Sequence, residues 1–552
     1  MNLYKYVSDA INKKLGFKAS LETPKNRDFG DFSTNAAMVG AKIAGKNPRE
    51  LANKIVPQIQ ELDFIENVSV AGPGFINIKI KDDFILKNVS VPTQIAAQTS
   101  SIIDLDYGSY NIGKALHIGH LRTTIVGDTF NRIAKFMGHK TKSYNHIGDW
   151  GRPMGLIIAW ILEYGMPKDI DAFNKIYPVS TTRAKEDDAW LNRAREISAQ
   201  LQNGDTELTK IYNDFIPMSL AQMNETLRRL NVMPFDAVMG ERGVSEYISD
   251  MQKILENKKL LEESDGALVV QVRNESDNAP MPPVIFKKNT DANSYAAADL
   301  AAIYYRNKTD NPSDIIYFTD SRQALHFEQI FRVAKMANLT DANLIHVGFG
   351  TITGSDGKPF KTRDGGVAGL SDILDMAETA VQERVAESNK NLDDTTIKQI
   401  ALSAVKFNDL IHDVKSDYVF DANAITSFEG RTGPYVLYTA VRLQSVLNRI
   451  NKQDFVLPAN YRLSAPERDL LIKMMDFEHM LLSAFENRAT DLLANYTYDL
   501  CQLANNFYHN CPILKDDTDS EIKAGRLYIT KLTFDTLKIA TDLMGLEIPK
   551  EM

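Results

Sequence analysis

The sequence of 552 residues predicts an α/β protein: a doubly wound, Rossmann-like parallel-sheet domain with an insertion, preceded by an N-terminal α+β domain and followed by a C-terminal all-α helical bundle. Three observations predict this. Between Ile102 and Gly138 an apolar run (Ile102, Ile103, Leu105) passes through a Gly-, Ser- and Asn-rich turn into a helical pattern on Leu121, Ile125, Ile133 and Phe136, closed by Gly138. Strand, turn and helix in that order open a nucleotide-binding sheet, because free backbone N–H groups at the helix start receive phosphate. Strand and helix patterns then alternate from about 101 to 370, as crossover helices in a parallel sheet require. Beyond about 371 strand patterns are scarce and helical ones dominate.

Residues 1–85 read as the first domain, with helical patterns at 3–15, 32–43 and 48–59. Alternating runs at 68–71 and 75–80 read as strands joined through the turn signal Gly72-Pro73-Gly74. On the residues alone Phe75 is expected in the core, and 86–100 reads as a linker. In the central domain, 101–370, strands are expected at 102–105, 141–145, 284–287, 315–319 and 345–349. The stretch around 155–266 does not fit one crossover and is expected to be an insertion between the two halves of the sheet. The remainder, 371–552, is expected to be helical, most clearly at 402–414, 435–450, 467–489 and 491–508.

Length suggests three or four domains, and 44% hydrophobic residues are ample for folded cores. No long uncharged apolar run exists for a membrane span, and the start of the chain reads as an amphipathic helix without a signal-peptide core. Only Cys501 and Cys511 are present, too few for a disulfide framework or a four-ligand zinc site, so a cytoplasmic protein without a structural metal is expected. A net charge of −9 does not exclude a nucleic-acid partner, since phosphate contact needs only a local basic track.

The helix start in the central domain carries His117-Ile118-Gly119-His120. Two imidazoles there offer N–H donors to phosphate, and Gly119 leaves room for a base or ribose. Such donors stabilise charge that develops at phosphorus during nucleotidyl transfer. The tetrapeptide alone is suggestive and not decisive.

Its surroundings decide. Ser109-Tyr110-Asn111-Ile112-Gly113-Lys114 followed by His117 to Arg122 resembles the HIGH signature of class I aminoacyl-tRNA synthetases, in its arginyl form. The blocks Asn145-His146-Ile147-Gly148-Asp149-Trp150-Gly151, Glu263-Ser264-Asp265-Gly266-Ala267, Leu325-His326-Phe327-Glu328-Gln329 and Asp356-Gly357-Lys358-Pro359-Phe360-Lys361-Thr362-Arg363 resemble arginyl-tRNA synthetases in the family's order. The resemblance spans nearly the whole chain, including an N-terminal domain that in the family touches the tRNA corner.

What the resemblance implies is an arginine--tRNA ligase using ATP with Mg2+, with arginine and tRNA(Arg) as partners, no tightly bound cofactor, no membrane association and a monomeric state. ATP is then expected at His117, Gly119, His120, Lys358 and Lys361, with Lys114 compensating for the missing KMSKS sequence and Lys361 the preferred charge of the mobile loop. A guanidinium presents five donors and no acceptor, so its pocket must supply fixed acceptors, preferably carboxylates. Tyr295 and Asp299, four apart on a helix, resemble the family's arginine-binding block, with Gln323 a further polar group and Glu241 a second carboxylate. Asp106, Ser109 and Asn111 match positions near the substrate's α-ammonium and carboxylate. Two departures stand out: Ala297-Ala298 replaces Thr-Arg, removing those side-chain contacts, and Tyr110 replaces proline, which is expected to loosen the turn.

For tRNA, Tyr435, Tyr438 and Arg442 fall at i, i+3 and i+7 on a helix opened by Thr432-Gly433-Pro434. Such a stripe can stack unpaired anticodon bases. The block resembles the family's anticodon-binding helices, where Tyr508 and Met552 match further positions. Residues 431–552 carry 14 Lys and Arg against 16 Asp and Glu, so stacking and shape must supplement charge.

Overall fold

The computed structural model describes residues 2–24, 29–94, 101–288, 293–354, 356–358, 360, 368–387, 391–450, 455–515 and 518–552. The chain forms two compact units, one made of 94–427 with 543–546, the other of 1–93, 428–542 and 547–552. Among the described residues no helix is long and apolar enough to cross a membrane. Cys501 and Cys511 are free and buried.

In the first of these units five parallel strands lie in the order Asn343–Phe349, Asp314–Asp320, Ile102–Asp106, Lys140–Ile147, Ala237–Gly240. Counted along the chain this is 5-4-1-2-3, so the order reverses beside the first strand, where doubly wound sheets bind ligands. That strand is buried on both faces, down to Asp104 and Asp106 at 0% and 2% exposure. Helix Leu121–Phe136 packs back on it. A Cβ on Gly127 would lie 2.2 Å from that of Tyr107, so only glycine permits this approach. Gly138, at φ 79°, ends the helix in the left-handed region as its sequence position predicts.

Two strand expectations need correction. Val284–Lys287 is not in the parallel sheet; it pairs antiparallel with Ala267–Val270, which pairs with Leu261–Ser264. It buries one face only: Val284 is 4% and Ile285 48% exposed. The fifth parallel strand is Ala237–Gly240, inside the stretch expected to be an insertion. Four helices, Arg152–Tyr164, Ile170–Glu186, Asp188–Gln202 and Thr206–Arg229, precede it and form the crossover from Lys140–Ile147.

Residues 371–427, which the sequence reading groups with the C-terminal helices, cluster with the sheet. Helix Asp394–Leu410 explains this, since its buried Asp409 and Lys406 pair with Arg122 and Asp128 of Leu121–Phe136.

The second unit holds a four-stranded antiparallel sheet, ordered Leu21–Glu22, Phe32–Thr34, Phe75–Ile80, Ile65–Ala71, and the helices Gly433–Asn448, Ala465–Met475, Phe477–Asn487, Asp491–Asn510 and Ser520–Leu543. Arg468 of the helical part donates to Asp31 Oδ2 at 2.5 Å and to the Ile80 carbonyl at 2.8 Å. Expectations differ here too. Phe32 begins a strand, with the helix running over Ala36–Ala44, and Phe75 is 37% exposed rather than core. The pattern at 467–489 splits at Asp476 into two helices.

Candidate active site

The turn after Ile102–Asp106 is pinned from both sides. Gly148 N–H donates to the Tyr110 carbonyl at 2.9 Å and Ile112 N–H to that of Gly148 at 3.2 Å. Ile118 N–H donates to Ala368 at 2.9 Å, and Gly113 N–H to Ser219 Oγ of helix Thr206–Arg229 at 3.0 Å. Tyr110 does not loosen this turn. Its ring is fully buried edge-on to His120, and its hydroxyl hydrogen-bonds Thr124 Oγ1 at 2.7 Å, so a packed aromatic supplies the rigidity proline would have given.

His117 and His120 cap the helix start reciprocally. His120 Nδ1 accepts the His117 N–H and His117 Nδ1 accepts the Gly119 N–H, both at 3.1 Å, with the rings stacked at 3.9 Å. Each neutral ring therefore carries its proton on Nε2, where it can donate outward. Burial, then His117 and Lys114, push His120 down to about 3; burial and Lys114 also lower His117. Lys114 Nζ rests 4.2 Å over the Tyr177 ring, which holds its charge beside the pair. Gly119 is exposed. Arg122, 1% exposed, ties the same helix to the carbonyls of Gly350 (3.1 Å) and Ser416 (2.7 Å), fixing the base of the loop that carries Lys358. In that loop Lys358 is exposed and its carbonyl accepts the Gly354 N–H at 2.8 Å. Lys361 lies outside the described residues.

Carboxylates gather at the other side of the sheet's carboxyl edge. Glu241 follows strand Ala237–Gly240 and lines a cavity of about 730 Å³ together with Trp150 and Tyr295. Burial, then the charges of Asp149 and Asp299, push the Glu241 carboxyl up to about 8. Asp149, 3% exposed, accepts the Tyr212 hydroxyl at 2.5 Å and the Arg242 N–H at 3.1 Å. Asp299, on helix Tyr295–Asp310, lies 2.7 Å from His326 Nε2. Tyr295 is 67% exposed, Gln323 is exposed, and Ala298 lines the cavity where a larger side chain would fill it.

Asp106 departs from its expected place. It is 2% exposed and paired with buried Arg306, Nη2 to Oδ2 at 2.5 Å, so it stands behind the site. Its other oxygen accepts Ser109 Oγ at 3.2 Å, holding Ser109 at φ 51°. Ser109 and Asn111 are exposed. Reasoning from residue types missed Asp149, which accepts the Tyr212 hydroxyl, and His326, beside Asp299, although both fall in the motifs that resemble the family, and it missed Arg306, the partner of Asp106 behind the site.

In the other unit, Thr432 Oγ1 accepts the Tyr435 N–H at the start of Gly433–Asn448. The Arg442 guanidinium lies between two rings, 4.7 Å from that of Tyr438 and 5.1 Å from that of Tyr508. It donates to Asn505 Oδ1 at 2.8 Å, and Asn505 donates to Tyr435 OH at 3.0 Å. Tyr435, Tyr438, Arg442 and Met552 are half-buried and Tyr508 is 37% exposed. Four of the five residues expected at the anticodon thus form one interlocked patch.

Comparison with known proteins agrees with this arrangement. Residues 83–422 match the family described as tRNA synthetases class I (R), catalytic domain; 1–80 match the arginyl tRNA synthetase N terminal domain, and 436–552 the DALR anticodon binding domain. The chain is 36% identical to the arginine--tRNA ligase of Alkaliphilus oremlandii, covering 98% of this chain and 96% of that protein. It is also 36% identical to that of Shewanella sp. (strain ANA-3), covering 97% and 96%. The arginyl-tRNA synthetase structure from Plasmodium falciparum is similar at TM-score 0.83 and 25% identity, over 100% of this chain and 98% of that one. The Thermus thermophilus structure shares the fold at TM-score 0.86 and 22% identity, over 100% of both. With the HIGH turn at the switch point and matches along its whole length, the chain belongs to the arginyl-tRNA synthetase family.

Proposed function

We propose that the protein joins L-arginine to tRNA(Arg). The arginine carboxylate attacks the α-phosphorus of ATP, supplied with Mg2+, and pyrophosphate leaves with the bridging oxygen's electron pair. The terminal adenosine hydroxyl then attacks the arginyl carbonyl and AMP departs. The substrate is its own nucleophile, so the protein contributes positioning and charge stabilisation.

His117 and His120 donate Nε2–H to the phosphate as charge builds, with Lys114, Lys358 and Lys361 adding positive charge along the triphosphate. Glu241, Tyr295, Asp299 and Gln323 receive the guanidinium, while Ser109 and Asn111 face its α-ammonium and carboxylate. Tyr435, Tyr438, Arg442, Tyr508 and Met552 meet the anticodon arm. By family analogy the protein acts in the cytoplasm as a monomer.

The observation that carries this reading is the gathering of carboxylates at one cavity: Glu241 lines it beside Tyr295, and the charges of Asp149 and Asp299 act on the same group. Such a cluster favours a cation, and guanidinium satisfies several acceptors at once. Pyrophosphate exchange with each of the amino acids, with and without tRNA, tests it. Exchange with arginine alone supports the reading; exchange driven by another amino acid, or none with tRNA present, contradicts it.

A further inference from the structure

A buried lysine that the chemistry does not use lies within the sheet unit. Lys406, on helix Asp394–Leu410, is 0% exposed, and its ammonium donates to three main-chain carbonyls: Leu230 at 3.1 Å, Asn231 at 3.4 Å and Gly545 at 3.5 Å. All three lie just past the ends of helices Thr206–Arg229 and Ser520–Leu543, where the helical ladder supplies no N–H. Burial pushes the ammonium down to about 8, so holding a charge there costs stability. Asp128 does not demand that charge. Its Oδ2 already accepts Arg132 Nε at 2.8 Å, while Lys406 Nζ stands 3.7 Å away. What the lysine supplies is three donors that fix the main chain around it.

The main chain it fixes joins the two halves of the site. The turn 230–236 leads from helix Thr206–Arg229 into Ala237–Gly240, the edge strand that ends at Glu241. That strand is four residues long and pairs on one side only, so its position depends on the turn before it. Helix Leu121–Phe136, which opens at His120, grips the turn: Asp128 Oδ1 accepts the Met233 N–H at 2.9 Å, and Arg132 Nη2 donates to the Asn231 carbonyl at 2.8 Å. The Phe235 ring stands 4.7 Å from that of Tyr107, at the start of the turn that carries the histidines. Asn231 Nδ2 donates to the Gly545 carbonyl at 3.1 Å, which ties in segment 543–546 of the same unit, with Leu543, Met544 and Leu546 buried. In a close-packed interior such a joint does not stretch, so a shift of the histidine-bearing helix carries the turn, and with it Glu241.

We propose that Lys406 is a positioning residue that locks the turn 230–236 to helix Leu121–Phe136, so that arginine at Glu241 and ATP at His117 and His120 bind cooperatively. The inference rests on the aminoacylation reading, which puts the two ligands on those groups. Lys406 is inaccessible to either ligand, so its removal changes the coupling between the sites and leaves each site's own groups in place.

The test measures arginine affinity by calorimetry at pH 7, with and without Mg2+ and a saturating ATP analogue whose α–β bridge is methylene, for the full-length parent, Lys406→Met and Gly545→Ala. Methionine removes the ammonium and keeps a long side chain. A Cβ on Gly545 would lie 2.3 Å from Lys406 Nζ and displaces it with its charge intact. Melts confirm folding, and where one variant does not fold the other decides. In the parent the analogue is expected to tighten arginine binding at least about fivefold. In the variants that factor should fall to about one, with arginine affinity in the absence of the analogue within about twofold of the parent. Undiminished coupling in a folded variant overturns the proposal, as does a parent that binds arginine without coupling. An equal loss of arginine affinity with and without the analogue, or failure of both variants to fold, makes Lys406 structural and also overturns it. A parent that binds no arginine, or another amino acid in its place, removes the aminoacylation reading and the proposal with it, whereas the other failures remove only the role of Lys406.

Discussion

His120 Nδ1 accepts the backbone N–H of His117 at 3.1 Å, so the motif's second imidazole is oriented by its first residue before any ligand arrives. The pair is neutral and its Nε2 protons are committed to donation. Burial keeps His120 uncharged down to about pH 3, so activation at saturating arginine is expected to show no ionisation of His120 between pH 5 and 8. His120→Ala should slow activation by roughly 3 kcal/mol, with little change in arginine affinity, and His117→Ala by less. Single-turnover adenylate formation checks both; a parent rate in His120→Ala contradicts the assignment.

Arginine binding should depend on pH through Glu241. Its carboxyl ionises near 4.5 when unfolded and about 8 in the ligand-free fold, so it is mostly protonated at pH 7. A bound guanidinium favours the ionised form and must expel that proton. Arginine affinity is therefore expected to rise with pH up to about 8 and then level off. Calorimetry at pH 7 in buffers of different ionisation enthalpy should show proton release; affinity that stays flat from pH 6 to 8 removes Glu241 from the pocket.

Asp299→Asn keeps the size and removes one charge that raises Glu241. Weaker arginine binding is expected, with unchanged ATP binding and a pH dependence shifted to lower pH. Equal arginine affinity in parent and variant would place Asp299 elsewhere.

Arg306 neutralises Asp106 inside the sheet, with both side chains nearly inaccessible. Arg306→Met should cost about 3 to 5 kcal/mol at pH 7, because buried carboxylates lose their counter-charge. Burial pushes the neighbouring Asp104 carboxyl up to about 7 against the pull of Arg306, so Asp104 carries less charge for Arg306 to offset at pH 5 and the loss should shrink there. Urea unfolding at the two pH values measures this, and a pH-independent loss would mean the effect is packing alone.

The Arg442 patch divides into stacking and structural members. Tyr438→Ala is expected to weaken tRNA binding by about 1 to 3 kcal/mol while melting near the parent, well short of the roughly 3 to 5 kcal/mol of a core aromatic. Arg442→Ala should also reduce the salt slope of tRNA binding by about one if it meets a phosphate. A Tyr438→Ala protein that melts far below the parent yet charges normally would put that ring in the core.

Local patterns made the site's framework legible. The strand, turn and helix from Ile102 to Gly138 and the histidine pair need only short-range periodicity and a glycine stop. Partners far apart in sequence were not legible: Arg306 meets Asp106 across 200 residues, and neither neighbourhood announces the other. Ala237–Gly240 is too short to show a period, and its place in the sheet comes from pairing with Lys140–Ile147. Tyr110 misled because a proline's rigidity can be replaced by burial, which depends on Thr124 and the His120 ring.

Esterification of arginine to tRNA(Arg) by the purified protein, with ATP and Mg2+, is the most direct test of the whole account. The expected product is acid-precipitable labelled arginine, released by mild alkali and dependent on ATP and on an intact tRNA 3′ end. Charging with a different amino acid, or adenylate formed from arginine but never transferred to tRNA, would contradict it.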